Sequence, residues 1–141
     1  VADKKFNKGS AGQNRKASEK FYQDYRQKEG VSISSTGLLY RLLEQGEGVA
    51  PCEQDTVVVN QRILNFDGKV IADTYKLGMP DVFTMKEAIA GLQEGLMLMC
   101  VGARYEFVIP PELAWGKRGA SNKIGPNALL LFDVRLLEIR F

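Results

Sequence analysis

Two prolines set back to back, Pro110 and Pro111, constrain this chain more than any other feature. Proline has no N–H to give to a sheet and restricts the residue before it, so the apolar run Phe107-Val108-Ile109 must end as a strand at this point. Glu112-Leu113-Ala114-Trp115-Gly116 then forms a corner that presents an aromatic, followed by a flexible, glycine-containing flap. Ile124-Gly125-Pro126-Asn127-Ala128-Leu129 leads into a second buried strand.

Upstream, the periodicity divides the chain. Val1 to about Gln13 is polar and aperiodic, which predicts a disordered or extended arm. From Asn14 to Glu29, Ala17, Phe21 and Tyr25 recur every fourth residue and Gly30 is placed as a stop, which predicts a helix with one apolar stripe. Such a stripe must be covered, by its own domain or by a partner chain. Beyond Gly30 the period shortens towards two. Strands are predicted at Gly37–Leu43, Thr56–Leu64 and, after a tight Asp67-Gly68 turn, Lys69–Asp73, with a short one at Val82-Phe83. Thr74–Pro80 reads as a loop. Thr84 with Glu87 has capping-box spacing, and Ile89, Leu92, Leu96 and Met99 form a helical stripe. Gly91 and Gly95 each weaken that helix by roughly 1 kcal/mol, a tolerable cost where close packing on a sheet is needed. Arg104–Ile109 alternates, with Tyr105, Phe107 and Ile109 on one face, and Leu129–Phe141 has the pattern of a central strand. The expected fold is α+β: an antiparallel, half-barrel sheet of about five strands wrapped on one short helix, preceded by an amino-terminal helix. Residues 1–34 would be a basic arm and linker helix, and 35–141 the globular domain.

Composition removes most chemistries. The 141 residues are 45% hydrophobic, enough for one packed core, and contain no histidine. Serine–histidine triads, histidine metal sites and histidine bases are therefore excluded. No GxxxxGK[ST] phosphate loop is present, and two cysteines cannot make a zinc site by themselves. Cys52 and Cys100 read either as a disulfide or as two small buried hydrophobes. Neither a metal nor a cofactor is expected. Residues 1–30 carry eight Lys and Arg against four acids, a net +4 that leaves −2 for the rest. With acids interspersed, this is a solvated helix face rather than a nucleic-acid surface. No apolar run approaches the roughly 20 residues of a membrane span. No signal peptide is read in a chain that starts at Val1, so the compartment is not legible directly.

The order and spacing of Gly37-Leu38-Leu39-Tyr40, Asp67-Gly68, Phe83-Thr84-Met85, Ile89-Ala90-Gly91-Leu92-Gln93-Glu94-Gly95-Leu96, Met99-Cys100-Val101-Gly102, Ile109-Pro110-Pro111-Glu112-Leu113-Ala114-Trp115-Gly116 and Ile124-Gly125-Pro126-Asn127 resemble FKBP-type peptidyl-prolyl isomerases. The resemblance runs from about Ser35 to Phe141. The charged helix ahead of it is similar to that of the bacterial Mip and FkpA branch, in which such a helix leads to a dimerisation domain. It implies an enzyme that turns X-Pro bonds and assists folding, acting on unfolded or proline-containing polypeptides. It also implies a homodimer through the amino-terminal helix and a periplasmic or outer-membrane-associated location.

Carried over position by position, the resemblance implies Trp115, Phe132, Ile89 and Phe83 as catalytic lining, with Trp115 where the family usually has tyrosine. Gln61, Ile71, Leu92 and Ile124 are the implied substrate-binding positions. Three of these depart from the family pattern. Gln61 replaces a tyrosine, Ile71-Ala72 replaces a phenylalanine–aspartate pair, and Leu92 replaces a tryptophan. These changes imply a wider, less sharply shaped pocket and a weakened activity. A plainer reading remains beside this one: Phe132, Ile89 and Leu92 would be core in most proteins, and the fold would serve as a non-catalytic chaperone or protein-binding module.

Overall fold

The computed structural model describes residues 8–120 and 123–141. The part of the expected arm before Lys8 lies outside them. Ser10 caps helix α1 (Ala11–Arg26), its hydroxyl accepting a hydrogen bond from the Gln13 N–H at 3.2 Å, so the helix begins three residues before the expected start at Asn14. Seven strands follow: β1 (Ser32–Ile33), β2 (Leu39–Glu44), β3 (Thr56–Asn65), β4 (Val70–Asp73), β5 (Asp81–Thr84), β6 (Arg104–Ile109) and β7 (Leu130–Arg140). They form one antiparallel sheet in the order β1-β2-β6-β7-β3-β4, with β5 also paired to β3. The count exceeds about five because the expected short strand at Val82-Phe83 pairs as β5 and the two-residue β1 is added.

Thr74–Leu77 is a helical turn, α2, where the sequence suggested only loop. The Asp73 carboxylate accepts from the Lys76 N–H at 3.1 Å, and Gly78 ends the turn at φ 69°. The capping box is present: the Glu87 carboxylate accepts from the Thr84 N–H (2.9 Å) and hydroxyl (2.8 Å). It opens a 3-10 turn, Met85–Glu87, and helix α3 (Ala90–Leu96) starts only after Ile89.

Helix α3 lies across the concave face of the sheet. Its two glycines explain how close it comes: a Cβ on Gly91 would sit 2.5 Å from Ile109 Cγ2, and one on Gly95 would sit 2.7 Å from the Phe107 ring. Leu92, Leu96, Met99, Phe107, Ile109, Leu130, Phe132, Val134 and Leu136 close the core between them.

On the convex face α1 docks on its own domain, which corrects the predicted stripe. Ala17 is exposed, and the buried residues are Asn14, Ser18 and Tyr25. Asn14 Nδ2 donates to the carbonyls of Lys8 (2.7 Å) and Pro126 (2.9 Å). The Ser18 hydroxyl donates to the Asn127 carbonyl (2.8 Å) and accepts from the Leu129 N–H (3.0 Å). Buried polar groups are tolerated when bonded in this way, so the Pro126–Leu129 segment is held by side chains that look like surface residues in sequence. Cys52 is exposed, Cys100 is half-buried, and both thiols are free, so neither reading of the pair holds for both residues.

The Tyr25 hydroxyl donates to Glu106 beneath α1, and burial together with that carboxylate holds its pKa well above the ordinary 10.0. A raised folded-state value means that the stabilisation is complete below pH 10 and declines as pH rises through the unfolded value, where only the unfolded chain loses its proton. Alkaline denaturation followed by circular dichroism should therefore steepen above about pH 10. Tyr25→Phe should be less stable at neutral pH and show a flatter alkaline limb.

Candidate functional site

β3 changes partner along one edge, and this change builds the site. Thr56–Val59 pair with β5 and Arg62–Leu64 with β4, leaving Asn60 and Gln61 between them. The Gln61 N–H, which has no strand partner on that edge, donates instead to the Thr74 hydroxyl at 2.8 Å, and Thr74 in turn donates to Asn60 Oδ1 at 2.9 Å. The gap between β5 and β4 opens a cleft under the amino-terminal end of α3. Its lining is Gln61, Ile63, Phe83, Glu87, Ala88, Ile89, Leu92, Trp115 and Phe132, around a volume of about 170 Å³.

Six of the eight residues singled out from sequence thus meet in one place. Phe132 stands opposite both Ile63 on β3 and Phe107 on β6, buried at the back. Phe83 comes from β5, Leu92 from the first turns of α3, and Trp115 from the corner after Pro111–Leu113. The Trp115 side chain is the exposed wall, at 38%. Ile71 and Ile124 do not border the cleft. Ile71 packs against the core from β4, and Ile124 is buried in it, bridged to Ala120. Ile63, Glu87 and Ala88 were not singled out. Ile63 was legible as the next inward residue after Gln61 on an alternating strand, whereas the other two enter only because the 3-10 turn bends towards the cleft.

The polar groups of the cleft are few. Among the described residues neither the Ile89 N–H nor the Trp115 indole N–H has a hydrogen-bond partner, and both residues line the cavity. Two free donors in an apolar setting suit a carbonyl oxygen. The carboxylate of Glu87 is held below the usual 4.5 by the hydrogen bonds from the Thr84 N–H and hydroxyl, so it stays ionised at neutral pH. Gln61 is 6% exposed; its Nε2 donates to Asp81 Oδ2 at 2.9 Å, and its Oε1 is buried without a partner. Leaving such an acceptor unmade costs about 1–3 kcal/mol.

A larger cleft of about 290 Å³ separates α1 from Pro110–Glu112. Charged Arg15, Glu19 and Glu112 are among its lining residues, and its buried Ser18 is already bonded. The smaller cleft is below the roughly 300 Å³ of drug-sized sites. That size fits one small ring, gripped by aromatic walls with two donors at hand.

Comparison with known proteins agrees with this geometry. A family model described as FKBP-type peptidyl-prolyl cis-trans isomerase matches residues 48–137. The chain is 41% identical over 139 residues to the FKBP-type peptidyl-prolyl cis-trans isomerase FkpA of Escherichia coli K12, covering 99% of this chain and 51% of that protein. It is 34% identical over 135 residues to the outer membrane protein MIP of Legionella longbeachae, covering 96% and 58%. The crystal structure of FkpA from Escherichia coli superposes with a TM-score of 0.89, over 92% of this chain and 61% of that one, at 41% identity. The chain spans about half the length of the curated relatives it matches. Since the matched segment holds β3 to β6, α3, most of β7 and every residue of the cleft, the chain belongs to the FKBP-type peptidyl-prolyl cis-trans isomerase family.

Proposed function

We propose that this protein is a peptidyl-prolyl cis-trans isomerase that assists folding, with a divergent active site in the cleft beneath α3. The observation that carries the reading is a ring-sized apolar cavity with Phe83, Leu92, Trp115 and Phe132 on its walls, whose lining residues Ile89 and Trp115 each keep an N–H without a partner among the described residues. Rotation of a peptide bond meets a barrier of roughly 18–20 kcal/mol because the twisted state loses resonance. Lowering it needs no nucleophile, base or metal. It needs the pyrrolidine ring held, water removed from the imide carbonyl, and the twisted form fitted better than the planar one. Water bonded to the carbonyl favours the charge-separated resonance form, so an apolar wall weakens the partial double bond. Each tenfold in rate requires only about 1.4 kcal/mol of such preference.

The test is isomerisation of a short X-Pro peptide at low temperature, where the spontaneous reaction is slow. A rate rising linearly with protein concentration is expected; a flat rate from folded protein would overturn the reading. Leu92→Trp tests the shape argument. Leu92 is 4% exposed and borders the cleft, and a larger rigid side chain there should raise the isomerisation rate several-fold. A well-folded variant with no gain would show that the width of the cleft at Leu92 does not limit the rate.

A second reading is a non-catalytic chaperone or binding module. It is favoured by Leu77 and Met79, 78% and 72% exposed on the segment leading from α2 into β5. Its clients would be unfolded or proline-containing polypeptides, as for the isomerase. In this proposal residues 35–141 form the isomerase unit and 1–34 the arm and linker helix, supported by the family match over 48–137. A homodimer through the amino-terminal helix would use the exposed, charged face of α1, since the inward face is occupied, and sedimentation tests it. A periplasmic or outer-membrane-associated location rests on likeness to FkpA and to a relative named as an outer membrane protein. No helix of the described residues is long and apolar enough to cross a membrane.

A further inference from the structure

Among the described residues Glu87 is the only charged one on the lining of the cleft beneath α3, and its side chain is held in place at one oxygen alone. Oε1 accepts from both the Thr84 N–H at 2.9 Å and the Thr84 hydroxyl at 2.8 Å. Oε2 has no hydrogen-bond or ion-pair partner among the described residues, and the residue is exposed, so a ligand can reach it. A carboxylate already pinned at one oxygen has less freedom left to lose when a cation meets the other. Two residues on, Ile89 keeps its N–H without a partner, and Ala88 and Ile89 are extended (φ −78°, ψ 153° and φ −62°, ψ 155°). Extended chain advances about 3.3–3.6 Å per residue, so the two backbone positions stand about 7 Å apart along one wall. A substrate carbonyl on the Ile89 N–H therefore brings the side chains beside it near Glu87, across a span that Lys or Arg bridges. Lys86, Lys117 and Arg118 are exposed and absent from the lining, so they act on a ligand only through solvent, where screening is strong.

We propose that Glu87 is a specificity-determining residue of this cleft, its free Oε2 pairing with a cationic side chain, so that the favoured substrates carry Lys or Arg directly before or after the proline. This rests on the isomerase reading of the cleft. The pyrrolidine ring is neutral and the apolar walls grip it alike in every proline segment, so discrimination falls to the one charge on the lining. An exposed ion pair is weak, and the expected preference is about two- to fivefold. Acidic neighbours of the proline meet a like charge and bind more weakly.

The single tryptophan of the chain, Trp115, reports occupancy of the cleft. Ala-Leu-Pro-Leu, Ala-Lys-Pro-Leu, Ala-Leu-Pro-Lys and Ala-Glu-Pro-Leu, each acetylated and amidated so that the ends carry no charge, are titrated into the full chain by fluorescence at low salt. At least one lysine peptide should bind with the stated preference over the neutral one, and which of them does so tells the side of the proline that Glu87 meets. The glutamate peptide should bind more weakly, and about 0.5 M salt should level all four. Glu87→Gln keeps the capping box, in which glutamine serves as well as glutamate, so the fold should persist, as checked by thermal melting, while the preference for lysine is lost. That pair of results separates the charge from the cap, and the salt response of the native protein answers the same question if the variant does not fold. Lysine peptides that both bind native protein less than twofold tighter than the neutral one would overturn the proposal. So would a preference that survives in folded Glu87→Gln or in high salt, tighter binding of the glutamate peptide, or no binding of any peptide to native protein. The isomerase reading fails separately: lysine preference in binding without turnover would leave the role of Glu87 standing and remove catalysis, and turnover without the preference would do the reverse.

Discussion

Trp115→Ala should lower the isomerisation rate of an X-Pro peptide roughly thirtyfold while the protein stays folded. The residue stands at a corner, 38% exposed, and forms the open wall of the cleft. Its removal takes away part of an aromatic contact surface, worth about 25 cal/mol per Å² of the area it shields. It also takes away the free indole N–H, which in a substrate complex is worth about 0.5–1.5 kcal/mol. Together these amount to about 2 kcal/mol, and each 1.36 kcal/mol is tenfold in rate. Little stability should be lost, because the side chain is not part of the enclosed core. The measurement is a paired one, rate by peptide isomerisation and fold by thermal melting. An unchanged rate in a folded variant would remove Trp115 from the site.

The largest effect on stability is expected at Phe107, which is fully buried between β6 and α3. Phe107→Ala should destabilise the protein by about 3–5 kcal/mol, since the lost transfer energy is joined by the cavity left behind. At this chain length that is a fall in Tm on the order of 10–20 °C. Gly95 makes the prediction sharper. In the native background Gly95→Ala gains about 1 kcal/mol of helix propensity. It also forces a methyl group to 2.7 Å from the ring, an overpacking that costs about 1–3 kcal/mol, so crowding wins. With Phe107 already cut to alanine, the same methyl group enters the vacated space and its sign should reverse. A double-mutant cycle with no coupling would show that α3 and β6 adjust independently.

Much of this was legible in the chain. The alternation of Tyr105, Phe107 and Ile109 identifies the inward face of β6, and the glycines of α3 announce a close approach, because both signals depend on local period and side-chain size. The capping box at Thr84 and Glu87 was equally plain, though what it starts is a 3-10 turn. The amino-terminal helix was read less well. The four-residue apolar spacing selects Ala17, Phe21 and Tyr25; Tyr25 is buried and Phe21 packs beside it, but Ala17 is exposed and the docked face is completed by the polar Asn14 and Ser18. Polar residues become interior only when partners far along the chain meet them, here Pro126, Asn127 and Leu129. Nothing within α1 records those partners. Thr74–Leu77 was missed as a helical turn for a related reason: an Asp cap and a glycine stop over so few residues leave no periodicity to detect.

For the site, the sequence by itself determined the kind of chemistry. The absence of histidine excludes triads, histidine metal sites and histidine bases, and the resemblance implied a cleft that would act by shape and exclusion of water. It also brought Trp115, Phe132, Ile89, Phe83, Gln61 and Leu92 into consideration. Only the tertiary structure decided which positions share the cavity, because Ile71 and Ile124 differ from the others in where their strand and flap point, a property set by register and not by residue type. It also decided what Gln61 is. In sequence it is one polar residue in a β-branched strand. In the fold it sits where β3 passes from β5 to β4, with its N–H bonded to Thr74 on that edge, one end of its amide held by Asp81 and the other left as a buried acceptor.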